Sequence, residues 1–218
     1  MNLFLKYGII IIIVLLSVSA CSKDDYLIDS GLAKAETPLT VYDYLKNHRY
    51  QMFDSLITLI DHYGIKEKIN GSGTFFAPND YNIRRFLQIK TDTLRDVTGV
   101  EDTLYTLNDL MNDQAIDSKS VLQYALNNRI TLNGATLQGK EFTTLNNEVI
   151  TVKKIQTDDP TYYQYNDNPV YFLYYCKDGM ENEVCQTTDI LTQNGGGTVL
   201  HVLNNAHIYD LFTELEED

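Results

Sequence analysis

Gly73-Thr74-Phe75-Phe76-Ala77-Pro78-Asn79-Asp80 changes character twice within a few residues. Thr74 to Ala77 is short, apolar and rich in ring side chains, as a buried strand would be. Pro78 has no N–H to donate and ends any ladder that reaches it. Asn79 or Asp80 can then cap a helix, because a short side-chain oxygen accepts from the free amides of a first turn. Ile83, Phe86 and Leu87 follow at helical spacing. The stretch predicts a rigid corner of strand, stop and helix cap, with most of the core attached to it.

Upstream, Thr40 with Asp43 three residues on is a variant of the capping box. Val41, Tyr44, Leu45, Met52, Phe53, Leu56, Ile57, Leu59, Ile60 and Tyr63 recur at three- and four-residue steps. They predict two amphipathic helices with a break near His48 or Arg49, and Gly64 as the stop. Downstream, Lys90 to Asp117 is acidic and weakly patterned, with room for one or two short helices. A further helix is expected from Asp117 or Ser118, carrying Val121, Leu122, Ala125 and Leu126 until Asn127-Asn128.

From Arg129 the period becomes two. Residues 129–132, 135–137, 141–145 and 149–155 read as short strands separated by Asn133-Gly134, Gln138-Gly139 and Asn146-Asn147. An aromatic run from Thr161 to Cys176 follows, with Gln186 to Thr192 pairing back on it. Gly195-Gly196-Gly197 reads as a flexible joint and Thr198 to Asn204 as a last strand. Helices first and strands later define an α+β chain with a mainly antiparallel sheet.

The ends carry their own signals. Lys6, the apolar run Ile9 to Leu16 and the small residues Ser17 to Ala20 have the order of a secretory signal over residues 1–20. A membrane anchor is the other reading, but the run is shorter than the roughly 20 residues a span needs. Val18-Ser19-Ala20-Cys21 looks like the lipobox of bacterial lipoproteins, which implies lipid on Cys21 and a membrane partner through that lipid. The acidic Ser22-Lys23-Asp24-Asp25 resembles a surface-export signal. The expected location is therefore the outer membrane, displayed at the cell surface, with a periplasm-facing arrangement as the alternative. Residues 21–36 read as a linker and 214–218 as an acidic tail.

The net charge is −13 at pH 7, and removing residues 1–20 takes one lysine and no carboxylate. Such a surface repels phosphate backbones and excludes nucleic acid as a partner. Beyond Cys21 two cysteines remain, Cys176 and Cys185. In an oxidising compartment they read as a disulfide closing a hairpin at Asp178-Gly179, contributing roughly 2–3 kcal/mol. Two thiols without a nearby histidine are too few ligands for a metal site.

Several stretches together resemble the fasciclin domain family. Thr74-Phe75-Phe76-Ala77-Pro78-Asn79-Asp80 is similar to its first signature box, and Thr40 to Ile69 to its leading helices. Phe142 to Val152 resembles its central hairpin, and Gly197-Thr198-Val199-Leu200-His201-Val202-Leu203-Asn204 its second box. Tyr124-Ala125 stands where the family often has Tyr-His, and the segments near 90–117 and 157–195 look like insertions. The resemblance implies a fasciclin-like wedge of sheet and helices over residues 37–213. It also implies an adhesion or binding module that works without catalysis or cofactor.

The residues themselves offer little chemistry. No nucleophile elbow, zinc-protease helix, phosphate loop or dinucleotide fingerprint occurs in the sequence. His201 and His207 lie six apart around the last strand without a third ligand, so core-edge or surface positions are expected for both. Asp158, Asp159 and Asp167 lack the oxygen spacing of a calcium loop. The most suggestive feature is the run Tyr162, Tyr163, Tyr165, Tyr171, Phe172, Tyr174, Tyr175. Rings with a hydroxyl suit sugar stacking or a protein interface, although alternation along a strand would place half of them in the core. Tyr162, Tyr163, Tyr165 and Tyr174 are the candidate binding surface for an extracellular glycan or protein ligand. Two functions fit: a lipid-anchored, non-catalytic adhesion module, or an accessory lipoprotein of an outer-membrane glycan or nutrient import assembly. A glycan hydrolase would need two facing carboxylates, and no pair in the sequence earns that role.

Overall fold

The computed structural model describes residues 36–163, 169–177 and 183–209, without the side chains of Tyr162 and Tyr163. The expected signal, Cys21, the linker, Tyr165, Asp167, the Asp178-Gly179 turn and the acidic tail lie outside the described residues. Residues 35–218 form one compact unit.

The corner forms as expected. Strand β1 (Thr74–Ala77) is buried along its whole length, and helix α4 (Asp80–Thr98) leaves it after Pro78. Asn79 Oδ1 accepts from the amide of Tyr81 at 2.9 Å and of Asn82 at 3.3 Å. Asn82 Oδ1 accepts from Asn79 N at 2.7 Å, so the cap is reciprocal. Both side-chain amides then reach the C-terminal segment. Asn79 Nδ2 donates to Leu203 O and Asn205 Oδ1, and Asn82 Nδ2 donates to Asn204 O and His207 O. These two fully buried amides use their hydrogen bonds to fix where the chain's last strand ends.

Helices α1 (Val41–Lys46), α2 (Asp54–His62) and α3 (Lys66–Asn70) precede the corner. Thr40 caps α1 by accepting from Asp43 N at 3.1 Å. Gly64 follows α2 at φ +62, the left-handed conformation expected of a helix stop. Asp80 accepts from Ser55 N at 2.9 Å and so anchors the start of α2 to the corner.

The remaining strands are β2 (Ala125–Leu126), β3 (Lys140–Thr143), β4 (Val149–Gln156), β5 (Tyr171–Cys176), β6 (Glu183–Leu191) and β7 (Val199–Leu203). They form one seven-stranded sheet in the order β2-β1-β7-β6-β5-β4-β3. All neighbours are antiparallel except β1 and β7, which pair in parallel from Thr74↔Val199 to Ala77↔Val202. The two edges meet at one point, where Leu126 bridges Thr144 and Leu145 N donates to Ala125 O at 2.8 Å. The sheet therefore nearly closes on itself. The core takes in Phe75, Phe76, Tyr124, Tyr175, Leu200 and Leu203 from the sheet side, with Leu56, Leu59, Ile60, Ile69, Ile83 and Phe86 contributed by the helices. The observed class is α+β with a mixed, mostly antiparallel sheet.

The structure changes several sequence-based expectations. Helix α4 runs on to Thr98 and stops at Gly99, with φ +68, so much of the weakly patterned segment is regular helix. Helix α5 (Leu107–Asn112) follows it under a Thr106 capping box. Helix α6 is only Lys119–Leu122, and Ala125-Leu126 is strand. Phe76 N donates to Tyr124 O and Gly73 N to Leu126 O, so pairing with β1 outweighs helical spacing there. Residues 129–132 and 135–137 are not strands. Ile130 N and Leu132 N bond instead to the side chains of Thr74 (Oγ1) and Asp189 (Oδ1), both at 2.8 Å, and Ala135 N turns back on Thr131 O at 3.0 Å.

The triple-glycine stretch is a pinned turn rather than a flexible joint. A 3₁₀ turn spans Gln193–Gly195, and Arg129 donates to the carbonyls of Gly195 and Gly197. The expected disulfide is not formed: Cys176 and Cys185 are both free, buried thiols. Register supplies the reason. Tyr174 opposes Val184 and Tyr175 opposes Glu183, so one step along the register Cys185 falls opposite Leu173. Cys185 thus shares the face of Leu173 and Tyr175, whereas Cys176 takes the other face. Side chains on opposite faces of a sheet cannot meet the geometry of a bridge.

Candidate binding surface

His201 within β7 and His207, four residues past its end, are both structural. His201 is fully buried. It takes an amide from Asp189 on Nδ1 at 3.2 Å and lies 3.0 Å from Ile130 O through Nε2. Its ring stacks on Phe76 with centroids 5.0 Å apart. Burial pushes its pKa down to about 4, opposed by the contact with Ile130 O and the nearby Asp189 carboxylate. His207 is also buried, with Nε2 2.7 Å from the Tyr124 hydroxyl and Nδ1 3.3 Å from Glu183. Both rings lie deeper than the core-edge or surface positions read from sequence. Among the described residues no group of histidine, cysteine and carboxylate side chains could hold a metal.

The tyrosine run divides as strand alternation requires. Tyr175 is in the core, its hydroxyl donating to Gln123 O at 3.1 Å and its ring 5.3 Å from Phe76. Tyr174 is half-buried on the other face, paired across the ladder with Lys153. Tyr171 lies under the ammonium of Lys154, 5.2 Å from its ring centroid. Tyr162 and Tyr163 belong to the short helix α7 (Pro160–Tyr163) rather than to a strand. The structure places Tyr174 beside Lys153, while the side chains of Tyr162 and Tyr163 and the whole of Tyr165 lie outside the described residues.

A groove that the sequence reading missed lies where the nearly closed sheet comes apart. Beyond the Leu126–Thr144 bridge, β3 and the 127–136 loop diverge. The space between them holds a cavity of about 230 Å³ lined by Arg129, Ile130, Ala135, Lys140, Phe142 and Val152, among others. A wider cleft of about 430 Å³ continues along Asn127, Asn128 and Lys140 to Thr143. Expecting strands at 129–132 and 135–137 filled this gap in advance. The available signal was chemical: Arg129 and Lys140 are two cations beside Asn-rich turns in a chain of net charge −13.

Main-chain geometry gives the groove a recognition edge. Thr144 N bonds to Glu148 O at the hairpin end, and antiparallel pairs alternate between bonded and non-bonded. With Phe142 opposite Ile150, the bonded pairs of β3 and β4 are the even-numbered residues of β3. The N–H and C=O of Glu141 and the N–H of Thr143 therefore face the groove.

No family model and no curated protein matches this chain. Among solved structures it is similar to a FAS1 domain pair from the insect cell adhesion molecule fasciclin I, with a TM-score of 0.48 and 10% sequence identity. The match covers 76% of this chain and 49% of that one, so the chain spans about half the length of that structure.

Proposed function

We propose that this chain is a lipid-anchored, non-catalytic binding module of fasciclin type, held at the outer membrane by Cys21 and displayed to extracellular ligands. One observation carries the reading. The two stretches that resemble the signature boxes, Thr74 to Asp80 and Gly197 to Asn204, are far apart in sequence yet form adjacent parallel strands inside the sheet, neither of them at an edge. Their polar residues are also equivalent in task. Thr74 Oγ1 donates to Asn128 O at 2.7 Å, and Thr198 Oγ1 donates to Ser72 O at 2.8 Å, each tying a neighbouring loop to its strand. A fold that spends its buried polar groups on positioning strands leaves recognition to its surface.

The compact unit, residues 35–218, tests the reading on an array of glycans and matrix proteins. Retention on at least one ligand class, without turnover of it, is expected. A correctly folded unit that retains nothing overturns the proposal. Cys21→Ala should move the full chain from the membrane fraction to the soluble fraction.

A further inference from the structure

We infer that the groove between β3 and the 127–136 loop takes an extended, acidic segment of a partner protein, which adds to the open edge of β3 as an extra strand. The inference rests on the binding-module reading and names the kind of partner.

Three observations select this occupant. The first is the edge itself. Glu141 and Thr143 present main-chain donors and an acceptor toward the groove, spaced two residues apart, as the next strand of a sheet requires. Strand addition draws its affinity from these main-chain bonds and its selectivity from pockets for alternate side chains. From Lys140 to Thr143 the edge is long enough for four or five residues at about 3.3 Å each.

The second observation is size. The inner cavity of about 230 Å³ falls below the roughly 300–1,000 Å³ of pockets that enclose a small molecule. It suits one side chain projecting from a strand, whose methylenes would rest on Phe142 and Val152.

Charge is the third. Arg129 spends its hydrogen bonds on the carbonyls of Gly195 and Gly197, which leave its charge uncompensated. The ammonium of Lys140 lies over the Phe142 ring, 5.5 Å from the centroid. Among the described residues neither cation is in an ion pair. Among the described residues lining the groove, Glu141 is the one carboxylate. It lines the outer cleft but not the inner cavity, so the inner end favours an anionic side chain and the outer end a neutral or basic one.

The test uses the full chain in detergent and a fluorescent peptide of alternating valine and glutamate, read by anisotropy. Saturable binding that weakens with added salt is expected. Lys140→Glu should weaken it roughly tenfold, because a like charge then faces the peptide carboxylate. Thr143→Pro removes only the outward N–H of an edge position and should weaken binding roughly three- to tenfold. The same peptide N-methylated on alternate residues removes main-chain bonds from the ligand side, which controls for misfolding of the proline variant. Equal binding of the methylated and unmethylated peptides overturns the inference. So does displacement of the peptide by polygalacturonate with no loss in Thr143→Pro, which would mark an anionic glycan site. If the peptide fails to bind while the array of glycans and matrix proteins retains the compact unit, this inference falls and the binding-module reading stands. Failure of both assays removes both.

Discussion

Acid should destabilise this protein through His201 well before general acid unfolding. The Asp189 amide donates to Nδ1, so the ring's one proton sits on Nε2 facing Ile130 O. Protonating Nδ1 would set a second N–H against the Asp189 amide, inside a core that excludes water. Folding therefore holds the folded-state pKa near 4, against roughly 6.5 for an unfolded histidine. Because the folded pKa is the lower one, the unfolded chain binds more protons between these values. Stability is intact above about pH 6.5 and falls as the pH drops toward 4. The difference corresponds to about 2 kcal/mol lost by pH 5 and about 3 kcal/mol by pH 4, relative to pH 7. Urea unfolding at pH 7.5, 6, 5.5 and 5, on the natural chain and on His201→Gln, isolates the effect. Other groups, such as the Asp80 carboxyl that burial pushes up, contribute equally to both proteins and cancel. The glutamine variant should start less stable and lose the steep segment between pH 6.5 and 5. Parallel slopes in the two proteins would refute the assignment.

Gly73→Ala should destabilise by about 3 kcal/mol or more, because a Cβ there would sit 2.2 Å from Asn127 O and 2.6 Å from the Asn128 carbonyl carbon. A shift in the urea midpoint measures it, and an unchanged midpoint would show that the β1–β2 contact is looser than described. Asn79→Ala removes both the cap of α4 and the ties to Leu203 and Asn205. A loss of about 2–3 kcal/mol by the same assay is expected. Alkylation without reductant in denaturant should modify Cys176 and Cys185 both, read by peptide mass; an intact bridged peptide would contradict the register of β5 and β6.

The parts legible in sequence are those whose local chemistry and tertiary role agree. Thr40 and Asn79 cap because their side chains satisfy nearby amides, and Gly64 stops a helix through a conformation few other residues adopt, so neither depends on distant partners. Ala125-Leu126 was read as helix because its spacing fits a helical face; only the amides of Gly73 and Phe76, some fifty residues earlier, decide otherwise. Arg129 to Leu132 alternates like a strand, yet its partners are the Thr74 hydroxyl and the Asp189 carboxylate, which no local pattern announces. The cysteines were paired by compartment and spacing, whereas their faces follow from a strand register that begins elsewhere in the sheet. The groove was hidden for the same reason. It exists because two edges that meet at Leu126 and Thr144 fail to stay together, and that is a property of the closed sheet rather than of any segment.

The parallel pairing of β1 with β7 also orders events in time. Thr74 can meet Leu126 early, but its other neighbour, Val199, is made 125 residues after it. Until that strand arrives, Phe75 and Phe76 lack one wall and the Asn79 and Asn82 amides have no C-terminal carbonyls to hold. Contacts of such long sequence separation are slow to form. A nascent chain of this protein should therefore remain open and easily threaded until β7 has been made, and close in a single late step.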